Sequence, residues 1–190
     1  MGDAERGFRI RPPLRTDLDA LVAIHGDPVT NQHNPSGPLR GREEGRVMLA
    51  AWIDDWRRDG IGYWTVITAL DEPGVGSDAV VGFGGVRYLR AGLTQVFNLY
   101  YRFSPGSWGH GWATAVARRA VDEAGRLDSG TPVIARMQPG NRPSERVAEK
   151  VGLATVGHDR DGRLVLADRP VPDELIAKLP TGVVRPGSST

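Results

Sequence analysis

The chain contains no cysteine in its 190 residues. Disulfides, a thiol nucleophile and a cysteine-ligated zinc site are excluded together. Lysine is almost missing as well: Lys150 and Lys178 are the two present, and arginine supplies the remaining cations. A GC-rich genome produces that bias as readily as function does. Neither charge dominates, since 24 Lys and Arg offset 23 Asp and Glu to leave a formal net charge of +1. A nucleic-acid partner held by bulk electrostatics is therefore not expected. No apolar run approaches the ~20 residues of a membrane-spanning helix. The opening MGDAERGFRI also lacks the apolar core of a signal peptide. These absences lead to the expectation of a cytoplasmic protein with no membrane partner.

What is present is about one domain's worth of chain, enough to bury a sizeable core. A single domain is expected over 1–190, with its core at about 8–168 and a small, polar, proline-broken tail from about 180 expected to be loose. FRIRPPLR (8–15) suits an edge strand, because its prolines would interrupt a central one. TDLDALVAIHGDP fits a helix capped by Thr16 or Asp17, with Leu18, Leu21, Val22 and Ile24 or His25 on one face. After the irregular NQHNPSGPLRG, a second helix places Val47, Met48, Ala51, Trp52 and Trp56 together and stops at Gly60. The period then changes. IGYWTVITAL, AVVGFGGVRYLR and QVFNLYYRF are rich in β-branched and aromatic residues, and DEPGVGSD makes a hairpin turn between the first two. ATAVARRAVDEAGRL returns to helix, with a small-residue face that can lie close to a sheet. TPVIARM (strand), SERVAEKVG (helix), ATVGHDR and RLVLADR (strands) complete a β-α-α-β-β-β-α-β-α-β-β order without internal repeat. That alternation implies an α/β fold, a mixed sheet with helices on both faces. Trp52, Trp56 and Trp64 are expected in the core.

The stretch with most chemical content is SPGSWGHGWAT (104–114), a glycine-rich turn between a strand and a helix. The first N–H groups of a helix have no intrahelical acceptor and the dipole there favours negative charge, so such a turn is a generic anion site. A P-loop would require Lys-Ser/Thr after the last glycine, whereas Trp112 follows Gly111. A dinucleotide fingerprint G-x-G-x-x-G is nearly met by Gly109, Gly111 and Thr114. However, its third glycine is missing, and TPVIARMQ ends without the acidic residue that grips a ribose. The third candidate ligand is coenzyme A.

YYRFSPGSWGHGWATAVARRAV resembles motif A of the GNAT superfamily of acetyl-coenzyme-A-dependent N-acyltransferases. It looks most like the branch of ribosomal-protein N-terminal acetyltransferases, whose turn has the form P-x-x-W-G-x-G-x-A-T. About thirty residues downstream, MQPGNRPSERVAEKVGLATVG is similar to that branch's N-x-x-S-x-x-V-x-E-K-x-G-[FL] segment. The resemblance implies a GNAT fold, a central sheet of about seven strands splayed between the fourth and fifth. Pantetheine would enter the gap as a pseudo-strand and bond main-chain groups around Tyr101, Arg102 and Phe103. The N–H groups of Trp108, Gly109, His110, Gly111, Trp112 and Ala113, with Thr114 behind them, would cradle the pyrophosphate. Asn141 and Ser144 would sit near the pantetheine and the sulfur, although Asn141 is equally suited to cap the next helix. Arg146 and Lys150 could reach the adenosine phosphates or be solvated charges. Arg102 could be a cofactor contact or a strand-edge charge. Trp108 and Trp112 are expected to clamp the turn against the body.

The implied reaction is attack of a neutral primary amine on the acetyl thioester. An N–H near Tyr100 or Tyr101 would stabilise the oxyanion, and Ser144 or a tyrosine hydroxyl would protonate the thiolate. Relatives often carry glutamate where this chain has Asn98, and asparagine takes no proton. The loss weighs more on a lysine-like acceptor (pKa about 10.4) than on an α-amine (pKa about 8). A peptide or protein α-amine or a small-molecule amine is therefore the expected partner. His25, His33 and Asp27, in HGDPVTNQHNP, are other candidate bases. His110 belongs with the pyrophosphate. A tight His/Asp cluster is lacking and HDRDG suits a hairpin turn, so no metal is expected. A homodimer is what the family suggests. The rival readings are a non-catalytic acyl-CoA sensor or scaffold, favoured by Asn98, and, remotely, a dinucleotide-binding protein.

Overall fold

The computed structural model describes residues 7–69, 78–91 and 94–180. The tail expected from about 180 and nearly all of the hairpin turn expected at 71–78 lie outside these residues. β1 (Phe8–Arg11) ends where Pro12 and Pro13 remove the next backbone donors. A 3-10 turn leads into α1 (Leu18–Gly26). Asp17 precedes α1 without capping it: its buried carboxylate accepts from Arg11 at 2.6 and 2.7 Å, Leu14 N–H at 2.8 Å and Thr65 Oγ1 at 2.7 Å. It ties β1, the turn and β2 together instead. α2 (Arg42–Asp59) stops at Gly60, whose φ of +67° and N–H bond to Trp56 O close the helix. Its buried face is Gly45, Leu49, Trp52 and Asp55, and Met48 and Ala51 border a cleft described below.

β2 (Tyr63–Thr68), β3 (Val80–Ala91) and β4 (Thr94–Phe103) form an antiparallel meander. α3 (Trp112–Leu127), β5 (Val133–Met137), α4 (Arg142–Lys150), β6 (Ala154–His158), β7 (Leu164–Ala167) and α5 (Asp173–Lys178) follow. α5 was not anticipated; Leu175 and Ile176 bury it against Leu89, Val96 and Ile134. The seven strands run β1-β2-β3-β4-β5-β7-β6, and β4–β5 is the parallel neighbour pair.

Helices cover both faces of this mixed sheet, as the alternation implied. The small residues Val116, Ala117, Ala120 and Ala124 of α3 are fully excluded from water against Val86, Phe97, Leu99 and Ala135. α1 and α2 cover the other face through Leu21, Ile24, Leu49 and Trp52 against Tyr63 and Phe83. Trp64 is core as expected, and Trp56 packs at its margin, donating its indole hydrogen to Tyr63 O at 2.9 Å.

β4 is the element that positions the site. Its ladder with β3 extends from Ala91↔Thr94 to Gly82↔Phe103. On the other side it pairs β5 only at Phe97↔Val133, Asn98↔Ile134 and Leu99↔Ala135. From Tyr100 onward the two strands part, which is the splay between fourth and fifth strands. Gly82 allows the end of β4 to lie close to β3, since a Cβ there would fall 2.5 Å from the Phe103 ring and 2.8 Å from Arg102 O. Alternation sends Asn98, Tyr100 and Arg102 toward α1 and α2, and Leu99, Tyr101 and Phe103 toward α3 and α4.

Candidate functional site

The turn after β4 follows from its residues. Pro105 opens a 3-10 turn, and Trp108 N–H donates to Pro105 O at 3.1 Å. Gly111 precedes α3 with φ +75°, a left-handed conformation that suits glycine. No atom lies within 4 Å of where its Cβ would be, so conformation and not crowding requires it. The first bond of the helix runs from Ala115 N–H to Gly111 O at 3.0 Å. The N–H groups of Ala113 and Thr114 lie ahead of it, in the turn where a helix offers its donors no acceptor. They and the dipole make an anion cradle.

A cleft of about 700 Å³ connects this cradle, through the gap between β4 and β5, to the face under α1 and α2. It brings together Asn98, Tyr101, Arg102, Phe103, Trp108, Gly109, Gly111, Trp112, Ala113, Thr114, Asn141 and Ser144, with Arg146 and Lys150 at the α4 side. His110 is not part of the lining: its ring stacks on Trp112 with centroids 4.7 Å apart, and Nδ1 lies 3.2 Å from Ser107 O. Trp112 is buried, but Trp108 is 48% exposed, its indole nitrogen donating to Phe103 O at 3.0 Å. Of the two tryptophans expected to clamp the turn, Trp112 packs into the body and Trp108 borders the cleft.

On the α4 wall, Asn141 Oδ1 accepts from Ser144 N–H at 3.3 Å, capping the helix while facing the cleft. Tyr101 donates its hydroxyl hydrogen to Ser144 O at 2.6 Å. Burial pushes the Tyr101 hydroxyl well above its ordinary pKa, so it stays protonated.

At the opposite end, Asn98 Nδ2 donates to Tyr63 Oη at 2.6 Å and stands across the ladder from Arg87. Arg87 pairs with Asp55 at 3.1 Å. His25 was a choice for the buried face of the first helix and also a candidate base. It lies on that face, 3% exposed and hydrogen-bonded at both nitrogens. Nδ1 faces the Leu21 carbonyl at 3.0 Å and must carry the hydrogen, so Nε2 accepts from the Tyr100 hydroxyl at 2.7 Å. Burial, followed by the positive charge of Arg102, lowers the His25 pKa to about 3. Burial also pushes Tyr100 up to about 12. This pair is neutral near pH 7, and His25 is too weakly basic there to serve as the base expected of it. Asp27 lies outside the cleft lining and accepts from Val29 N–H at 2.7 Å. His33 is exposed and borders the cleft.

Residues not singled out from sequence complete this end. Asn31, buried after α1, donates to His25 O and Asp27 O, each at 2.8 Å, and accepts from Arg102 Nη1 at 2.6 Å. Arg136 and Arg163 border the cleft and share Asp159 at 3.5 and 2.9 Å. The side chain of Arg102 thus faces α1, not the pyrophosphate turn or a strand edge. Strand register could have found Arg87 opposite Asn98; no local signal marks Tyr63, Asn31 or the Asp159 pairs. Among the described residues, no group of three or more His, Asp or Glu side chains is arranged to hold a metal ion. No described helix is long and apolar enough to cross a membrane.

Residues 8–154 match the family model described as the acetyltransferase (GNAT) domain. An uncharacterized protein of Bacillus subtilis, YkkB, is 28% identical over 102 residues, a stretch covering 54% of this chain and 58% of that protein. The chain therefore spans little more than half the length of that relative. Among solved structures, an acetyltransferase from Agrobacterium tumefaciens superposes with a TM-score of 0.69 at 20% identity, covering 84% of this chain and 89% of that one. A ribosomal-protein-S5-alanine acetyltransferase from Vibrio fischeri gives 0.65 at 14% identity, over 87% and 96% of the two chains. At such identities these likenesses speak to the fold.

Proposed function

This chain belongs to the GNAT acetyltransferase family, and on that premise we propose that it is an N-acetyltransferase moving the acetyl group of acetyl-CoA to a primary amine. The observation that carries this reading is the parting of β4 from β5 at Tyr100, directly beside the donor-rich start of α3. A slender chain bearing amides and ending in a diphosphate fits such a gap: main chain at Tyr101 and Phe103 for the amides, N–H groups at 109–113 for the phosphates. Asn141 and Ser144 face the pantetheine, and Arg146 and Lys150 lie on the side of the adenosine phosphates.

The chemistry then needs an acid, an oxyanion donor and a neutral amine. The main-chain N–H of Tyr101 would hold the oxyanion of the tetrahedral intermediate, since that of Tyr100 faces β3 in the ladder; the interaction is worth about 3 kcal/mol. Ser144 Oγ, on the residue whose carbonyl Tyr101 holds, would return a proton to the departing thiolate. No Asp or Glu is among the described residues lining the cleft, so no carboxylate there can take a proton from an ammonium. The reading therefore favours an acceptor that arrives partly neutral. A peptide or protein α-amine of pKa about 8 is roughly one-tenth neutral at pH 7, against fewer than one in a thousand for lysine. The name of the Vibrio fischeri protein, an alanine acetyltransferase, agrees with an α-amine.

The test is CoA release from acetyl-CoA with a panel of amines, alongside thermal shifts with acetyl-CoA, CoA and NAD(P). Acetyl-CoA binding with turnover of an amine is expected. Binding without acetylation of any amine would instead support the sensor that Asn98 suggests. Stabilisation by NAD(P) and not by CoA would sink the reading.

A further inference from the structure

The cleft's charge is one-sided. Six cationic side chains line it (Arg87, Arg102, Arg136, Arg146, Lys150 and Arg163) and, among the described residues, no carboxylate does. Three of the six have carboxylates behind them, outside the lining: Asp55 for Arg87, and Asp159 for Arg136 and Arg163. Arg146 and Lys150 stand at the α4 wall, where on the acetyltransferase reading they would face the phosphates of coenzyme A or solvent. Arg102 is left. It lies on the other face of β4, half-buried, and its partner among the described residues is the neutral amide oxygen of Asn31 at 2.6 Å. One of its five donors is used there, and the rest of the fork lies in the cleft wall. Its field is felt nearby, since it helps to hold His25 neutral.

Among the described residues no carboxylate lies within ion-pair distance of Arg102, and a half-buried guanidinium without an ionic partner is costly to desolvate. Its direction is informative too. Asn98, Tyr100 and Arg102 are alternate residues on one face of a strand, so Arg102 lies about 7 Å along β4 from Tyr100. Two extended residues of a peptide span about the same distance.

We propose that Arg102 binds a carboxylate of the acceptor, and that the acceptor is a small primary amine carrying a carboxylate, such as an amino acid or a short peptide with a free C-terminus. This rests on the acetyltransferase reading and narrows it. The planar fork accepts both carboxylate oxygens, and Asn31, fixed by two backbone carbonyls, sets the orientation of the fork. Polyamines and other polycations meet only like charge here.

The experiment compares Ala-Ala with its C-terminal amide, two acceptors of similar amine pKa that differ at the carboxylate, within a wider set including spermidine, an aryl amine and phosphoethanolamine. Rates of CoA release are read for the wild type, Arg102→Gln and Arg102→Lys. The free peptide is expected to exceed the amide at least ten-fold in kcat/KM. Arg102→Gln should bring that ratio to within about two-fold, whatever its overall rate, and Arg102→Lys should retain an intermediate ratio. Equal rates for peptide and amide in the wild type, or preference for spermidine, an aryl amine or phosphoethanolamine over every carboxylate-bearing amine, overturn the proposal while leaving acetyl transfer intact. A ratio unchanged in Arg102→Gln removes Arg102 from the role. Acetylation of no amine at all overturns the acetyltransferase reading and this one with it.

Discussion

The hydroxyl of Tyr101 on β4 lies 2.6 Å from the main-chain oxygen of Ser144 on α4, so one phenol bridges the two walls of the gap where the sheet parts. Tyr101→Phe keeps the ring and removes the bridge. It should lower stability by about 1 kcal/mol, or roughly 2–4 °C in Tm for a domain of this size. Acetyl-CoA affinity should weaken several-fold as α4 loses its tether. Calorimetric melting and acetyl-CoA titration report the two effects separately.

Ser144 can be tested without disturbing that bridge, because Tyr101 bonds its carbonyl and not its side chain. If Ser144 Oγ supplies the thiolate's proton, Ser144→Ala should reduce kcat by about a hundred-fold or more. Acetyl-CoA Kd should change by less than about three-fold. A kcat near that of the wild type in steady-state assays would remove the residue from proton transfer.

Asn98→Glu places a carboxylate beside the Tyr63 hydroxyl and across from Arg87. Lysine-like acceptors should gain about ten-fold or more in kcat/KM at pH 7, and α-amines much less, because only the former depend strongly on a base. The rate profile between pH 6 and 9 should move toward lower pH. Equal gains for both acceptor classes would contradict the account of the missing base.

His25 links stability to acid. Its folded pKa, lowered to about 3 by burial and by Arg102, lies below the value of about 6.5 in the unfolded chain. The unfolded state therefore binds a proton first. The contribution of His25 is fully present above about pH 6.5 and is lost as pH falls toward 3, at up to about 1.4 kcal/mol per pH unit. Unfolding by urea should show about 2 kcal/mol less stability at pH 5 than at pH 7, and His25→Gln should flatten that slope.

Gly82→Ala tests the close approach of β3 and β4. The added methyl meets the Phe103 ring and Arg102 O, one of which is backbone and cannot swing aside. A loss of about 1–3 kcal/mol is expected, with a larger proportional loss in acetyl-CoA binding because the displaced segment forms the wall of the gap. Unfolding and binding titrations on the same variant decide whether the two move together.

The strand–turn–helix and the Asn141 cap were legible in the sequence because glycine conformation, helix periodicity and capping are local properties. What escaped depended on partners distant in the chain. Asp17 sat where a cap belongs, yet Thr65, 48 positions on, shares its carboxylate. His25 was one of two choices for a helical face, and its burial is decided with Tyr100, 75 positions away. α5 is too short for a periodic signal and is held through Leu175 and Ile176 by strands that form elsewhere. The one-sided charge of the cleft was hidden for a similar reason. Composition is balanced, but folding withdraws Asp55 and Asp159 beneath arginines and leaves the cations facing the opening.

The parting of β4 from β5 also bears on how the sheet avoids unwanted company. A strand with unsatisfied hydrogen-bonding groups is ordinarily a hazard at the rim of a sheet, where another chain can add to it. Here the stretch from Tyr100 to Phe103 keeps its pairing with β3 and lacks a partner only on the β5 side, in the middle of the sheet. The fold thus keeps its open hydrogen-bonding edge inside the sheet, away from the rim.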